Sequence, residues 1–175
     1  MKTPKKALIV IDMLRDFMER DGALYCGDKA RKIIPHVRKA IEKFRKSGNL
    51  VIYSQDSHRP DDREFKLFGR HCVTGTKGAQ IIKELKPEKS DRVIPSTTYD
   101  VTFGTNLTGM LKKYRVKDIF LAGVCTSICI MESASTFYKQ GFRINILKGG
   151  VADFDDKAHK FALKRMKSVY GAKIG

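Results

Sequence analysis

The residues best suited to chemistry begin with Cys129. It closes the run Leu121-Ala122-Gly123-Val124-Cys125-Thr126-Ser127-Ile128-Cys129. Apolar residues from Ile119 to Val124 read as a buried strand, and the small polar residues beyond open a helix toward Phe137 and Tyr138. If Thr126 caps that helix, Cys129 falls in its first turn, where unpaired N–H groups and the positive end of the dipole favour the nucleophilic thiolate. The plain alternative is a small buried hydrophobe. Asp12 ends another apolar run, Ala7-Leu8-Ile9-Val10-Ile11. Beside a thiol it can act as base and then as proton donor, its pKa raised by partial burial. Otherwise it is a helix cap or a partner for Arg15.

A second set is Asp56-Ser57-His58 with His71. In extended chain Asp56 and His58 point to one side, and a long loop can return His71 to them. One carboxylate and two imidazoles suit Zn²⁺, Mn²⁺ or Fe²⁺ and leave positions for water or a substrate atom. Spacing alone favours the simpler reading, in which three polar residues share a surface loop. The backbone N–H groups of Cys125 and Cys129 are candidate donors to a developing oxyanion, against ordinary strand-to-helix geometry. His36 and His159 fall inside helical patterns and receive no role.

The elements that position these residues alternate in type. Strands are expected at Ala7–Ile11, Leu50–Ser54, Arg92–Ile94, Lys117–Val124 and Phe142–Leu147, with a short last one at Ala172–Ile174. Helical patterns run from about Lys29 to Lys46, Ala79 to Leu85, Asn106 to Tyr114, Ser127 to Gln140 and Asp155 to Tyr170. Residues 57–75 form a polar connection too long for a mere link. Such alternation implies right-handed βαβ units, and so an α/β fold with a parallel sheet between helix layers. Ligands bind such sheets beyond the carboxyl ends of the strands, at a topological switch point. Asp12, Asp56, the segment after Ile94 and the turn at Cys125–Cys129 all lie there.

Composition bounds the rest. A chain of 175 residues suits one domain with a core that needs no disulfide. The cysteines Cys26, Cys72, Cys125 and Cys129 form no zinc-finger spacing, and reduced thiols in a cytoplasmic protein fit best. No apolar run approaches membrane-spanning length, and the N-terminus leads into a strand rather than a signal-peptide core. The formal net charge of +16 raises nucleic-acid binding. The lysines, however, are spread along the whole chain without interleaved aromatics or a recognition motif, so a solvated basic surface is favoured.

Taken together, these motifs resemble the isochorismatase-like cysteine hydrolases, which include nicotinamidases and N-carbamoylsarcosine amidohydrolases. The resemblance covers nearly the whole chain. It rests on Leu8-Ile9-Val10-Ile11-Asp12-Met13 with Asp16-Phe17, on Asp56-Ser57-His58-Arg59-Pro60-Asp61-Asp62, and on Arg70-His71-Cys72-Val73-Thr74-Gly75-Thr76. Tyr99-Asp100, Phe103-Gly104-Thr105-Asn106-Leu107, Gly123-Val124-x-Thr126-x-x-Cys129 and His159-Lys160-Phe161-Ala162-Leu163 extend it. It implies a single isochorismatase-like domain over 1–175, a three-layer αβα sandwich of Rossmann-like kind. It further implies Cys129 as nucleophile, Asp12 as acid/base, Phe17 in the substrate pocket, and a cis peptide between Val124 and Cys125 shaping the oxyanion hole. Asp56, His58 and His71 match the metal triad of the nicotinamidase branch, with zinc first and manganese or iron next; there the metal holds the pyridine nitrogen. The implied substrate is a small carboxamide or ureido compound, nicotinamide first and N-carbamoylsarcosine-like compounds second, and the implied assembly a dimer or tetramer.

One departure stands out. The family's third catalytic residue is a lysine in a pattern like V-I-P-K-x-x-Y, whereas the run here is Val93-Ile94-Pro95-Ser96-Thr97-Thr98-Tyr99. Ser96 stands at the lysine position. Its loss is expected to raise the cysteine pKa and slow catalysis unless Arg92 or a metal supplies the charge. A catalytically impaired member acting as a binding protein is therefore the alternative to an active amidohydrolase.

Overall fold

A computed structural model describes residues 6–175. Met1–Lys5 lie outside the described residues, and with them the first five positions of the expected domain and the reading of the N-terminus as free of a signal-peptide core. Along the chain run β1 (Lys6–Ile11), α1 (Arg15–Met18), α2 (Asp28–Arg31), α3 (Ile34–Lys46), β2 (Leu50–Asp56), α4 (Phe65–Phe68) and β3 (Arg92–Ser96). There follow α5 (Leu107–Lys113), β4 (Asp118–Gly123), a π turn (Thr126–Ile130), α6 (Met131–Lys139), β5 (Arg143–Val151), α7 (Asp156–Val169) and β6 (Lys173–Ile174). The six strands form one parallel sheet in the order β3-β2-β1-β4-β5-β6.

Alternation along β1 divides the core into two layers. Ala7, Ile9 and Ile11 pack with Leu107 and Leu111 of α5, Ala134 and Phe137 of α6, and Ala162 and Met166 of α7. Leu8 and Val10 face the other way, onto Val37, Ile41 and Phe44 of α3. Residues Ala7 to Ile11 are wholly inaccessible, as a strand covered on both faces must be. The chain leaves β1 toward β2 and β3 and later returns to β4 on its other side, so the order reverses between β1 and β4. Their carboxyl ends flank the crevice where such a sheet binds ligands. Gly123 lets them converge: its φ is +120°, and a Cβ there would overlap the carbonyl oxygen of Ile11.

Local structure departs from the expected elements in three places. The helix expected from Lys29 to Lys46 is two, because Pro35 lies in the first turn of α3, where a fixed φ and a missing N–H favour a fresh start. Ala79 to Leu85 is not a helix. Arg15 and Asp16 donate N–H bonds to Gln80 and Gly78, Ile82 donates to Met13, and only Lys83–Leu85 coils, as a 3₁₀ turn. Pairing with the segment after β1 outweighs local helix propensity there. The helix expected from Ser127 begins as the π turn, with the Ile130 N–H bonded to the Cys125 carbonyl. Among the described residues no helix is long and apolar enough to cross a membrane.

Candidate active site

Asp12 leaves β1 with φ +52°, which turns its buried carboxylate back over the sheet edge. Its Oδ1 accepts bonds from the Ser54 hydroxyl (2.8 Å) and the Asp56 N–H (3.2 Å), both on β2. Register explains the contact, since Ser54 pairs with Ile11 across the β1–β2 ladder. Burial first, and then the nearby charge of Asp56, push the Asp12 carboxyl up to about 7.

The Cys129 thiol lies close enough to the same carboxylate for each group to perturb the other. Burial pushes the thiol well above its ordinary range, followed by the charges of Asp12 and Asp56, while a backbone hydrogen bond from Cys125 acts the other way. These influences oppose the pull of a helix start toward a thiolate. Thr126 is no cap: its hydroxyl donates to the Ala152 carbonyl (2.9 Å), and the extended Cys125 precedes the turn. The exposed N–H of Ser127 is met by the buried Asp153 carboxylate at 2.7 Å, which supplies the negative charge a helix N-terminus attracts. His159, given no role from sequence, places Nδ1 2.9 Å from the Thr126 hydroxyl and braces the turn from α7.

Beside this pair lie Asp56, His58 and His71, all buried, with one donor atom of each within 4.8 Å of the others. Asp56 Oδ2 is 3.0 Å from His58 Nε2 and 3.5 Å from His71 Nε2. The second nitrogens face outward: His58 Nδ1 is 3.0 Å from Asp62 Oδ2, and His71 Nδ1 is 2.8 Å from the Gly69 carbonyl. Such outer partners orient imidazoles toward a shared ion. Neither His58 nitrogen makes an aligned hydrogen bond despite its burial; Nε2 faces the space it shares with Asp56 and Glu64. Burial opposes protonation of both rings, but Asp56, with Asp62 and Glu64 at His58, outweighs it: His58 is raised to about 9 and His71 is also raised. Burial pulls Asp56 up, and the two imidazoles outweigh it and hold the carboxyl below its ordinary range. The donor set fits a divalent ion such as Zn²⁺.

Both clusters open on one cavity of about 510 Å³, lined by Asp56, Glu64, His71 and Cys129 with Phe17, Phe68, Tyr99 and Phe154 among others. Phe17, expected in the pocket, lines the cavity with its ring 5.6 Å from that of His71 and tilted by 54°. The peptide between Val124 and Cys125 is cis. Ser96 closes β3 opposite Asp56, but its hydroxyl donates to the Thr98 carbonyl at 2.9 Å. Arg92, the expected substitute cation, is exposed at the far end of β3 and bonds the Asp91 carbonyl. No lysine or arginine lines the cavity among the described residues.

Sequence reading missed Glu64, whose Oε1 is 3.7 Å from His71 Nε2 and 3.9 Å from His58 Nε2. It sits in the long loop singled out as functional, but no periodicity marks it. Ser54, Asp153, His159 and Cys26 were likewise unassigned.

The family profile described as Isochorismatase domain matches residues 6–174. The crystal structure of the nicotinamidase PncA from Bacillus subtilis superposes with TM-score 0.93 at 35% identity, covering 98% of this chain and 99% of that one. A pyrazinamidase of Pyrococcus horikoshii in complex with zinc does so with TM-score 0.93 at 33% identity over 98% and 99% of the two chains. An Arabidopsis thaliana protein named "Probable inactive nicotinamidase" is 34% identical over 93% of this chain and 88% of its own.

Proposed function

The chain belongs to the isochorismatase family, and from that premise we propose that it is a cysteine-dependent amidohydrolase of small carboxamides, nicotinamide first. One observation carries the reading: a thiol beside a buried carboxyl raised to about 7, sharing a cavity with a two-histidine, one-carboxylate cluster. The nicotinamidase and pyrazinamidase likenesses support the substrate class.

In the proposed reaction the Cys129 sulfur attacks the amide carbonyl as its proton passes to Asp12, whose raised pKa matches base work near neutrality. The N–H groups of Cys125 and Cys129 receive the oxyanion. Asp12 returns the proton to the departing nitrogen, so ammonia leaves and a thioester remains. A water gives its proton to Asp12, attacks the thioester and releases the acid, and the thiol is restored. Asp56, His58 and His71 would hold a divalent ion, zinc first, with Glu64 in reach. Such an ion supplies a Lewis-acid site and positive charge beside the thiol. The aromatic walls of Phe17, Phe68 and Tyr99 bind a planar ring and exclude water.

A second reading, a catalytically impaired binding protein, is favoured by the cavity's lack of lysine and arginine. The Arabidopsis relative's name agrees with it. Ammonia release from nicotinamide, pyrazinamide and N-carbamoylsarcosine, with and without added Zn²⁺ or Mn²⁺, decides between the two. Turnover that depends on the metal supports the hydrolase, and none across the panel leaves the impaired member.

A further inference from the structure

The proposed reaction leaves two thiols of the cavity wall unused. Cys26, on the segment before α2, and Cys125, at the head of the π turn, are 99 positions apart in sequence, yet their Sγ atoms lie 3.5 Å apart. Both are buried, both are free, and both line the cavity. Each is held from its own side. The Cys26 N–H donates to the Phe17 carbonyl at 2.9 Å, and the Cys125 carbonyl accepts from the N–H groups of Ile128 and Ile130 at 3.2 Å. Cys72 packs apart from them, with Leu14 and Ala79.

We propose that Cys26 and Cys125 form a redox-active dithiol, a modification site on the cavity wall that a small hydroperoxide closes to a disulfide. The Cys26 sulfur attacks the outer peroxide oxygen, the O–O bond breaks, and an alcohol or water leaves with the thiol proton. Cys26 is then a sulfenic acid. The Cys125 sulfur displaces its hydroxyl, which departs as water with the Cys125 proton, and the S–S bond forms. Two thiols lose two electrons and the hydroperoxide gains them. The electron balance is the same whichever of the two sulfurs attacks first.

Closing 3.5 Å to a bond of about 2.05 Å ties Cys125, whose N–H is the oxyanion donor of the amidohydrolase reading, to the Cys26 segment, and a loss of ammonia release on oxidation is expected. That consequence rests on the proposed function; the cross-link does not.

The test uses reduced full-length protein, freed of reductant, exposed to hydrogen peroxide, alkylated under denaturing conditions and digested with trypsin without reduction. Free thiols are expected to fall from the four present by two. The peptides Asp21–Lys29 and Asp118–Lys139 are expected as one linked species that dithiothreitol separates. Since the second peptide also carries Cys129, the Cys129→Ala variant is treated in parallel: the link persists there and vanishes in Cys26→Ser. Loss of the link in Cys129→Ala overturns the proposal, as does an irreversibly oxidised Cys26 with no linked peptide. Protein that cross-links but hydrolyses no amide retains the dithiol and loses the amidohydrolase.

Discussion

The two walls of the cavity are built differently. Asp12 follows β1, where Ile11 still pairs with Gly123 of β4, and Cys129 lies in the π turn that follows β4. Asp12 is held by the Ser54 hydroxyl and the Asp56 N–H of β2. The ligand wall borrows only Asp56 from a strand; His58, Glu64 and His71 come from the loop over residues 57–75, tied down by side chains such as Asp62 and by the Gly69 carbonyl. The first wall presents few charges in a dry setting, and its pKa values rise through desolvation. The second crowds carboxylates around imidazoles and is balanced by positive charge. On the proposed function, the first wall would carry the reaction and the second would hold the ion.

Truncating each wall tests that contrast, and the chemistry wall should matter most. Cys129→Ala is expected to reduce ammonia release by on the order of 10⁴-fold or more while leaving metal content near wild type. Metal loss accompanying it would mean the walls are not separate. His71→Ala should lower bound metal, read by elemental analysis, and cut turnover by about 100-fold or more, with thermal stability responding to added Zn²⁺ in wild type but not in the variant.

Ser96→Lys sharpens the comparison from the end of β3, at a buried position paired with Asp56. Placed beside Asp56, the ammonium would favour the negative intermediate, and a rate increase of about 10-fold to 100-fold is expected. An unchanged rate in a folded variant would mean the metal already supplies that charge or the pocket is inactive.

The smallest effect is the pH response of the sheet-borne wall. Asp12 must be ionised to accept the thiol proton, so kcat/KM should rise as pH passes through about 7. Stability runs the opposite way. The folded carboxyl holds its proton to about 7, whereas the ordinary value is 3.8. Its favourable contribution is therefore complete below about 4 and lost as pH climbs to about 7. Asp12→Asn, which imitates the protonated form, should gain stability over wild type between pH 4 and pH 8 in denaturant titrations. A constant difference across that range would contradict the raised pKa.

Much of this was legible beforehand because the signals are local. Ala7–Ile11 is apolar without interruption, as a strand covered on both faces must be, and the strand ends named Asp12, Asp56 and the Cys129 turn in advance. Ala79–Leu85 was misread because its helical look is a weak preference, and pairing with residues 13–16 overrides it. Thr126 as a cap failed for a related reason: the competing acceptor, Asp153, arrives from the end of β5, and nothing near Thr126 announces it.

By itself the sequence determined the alternating elements, the α/β class and the residue types at the rim, since periodicity and strand-end position are properties of neighbouring residues. Only the tertiary structure decided which groups meet. It set Glu64 beside the two histidines, Cys26 against Cys125, and Arg92 away from the cavity, because contacts across tens of residues depend on loop closure and sheet order. It also set Cys129 in a buried place beside Asp12 and Asp56, which pushes the thiol up where a helix start alone favours a thiolate.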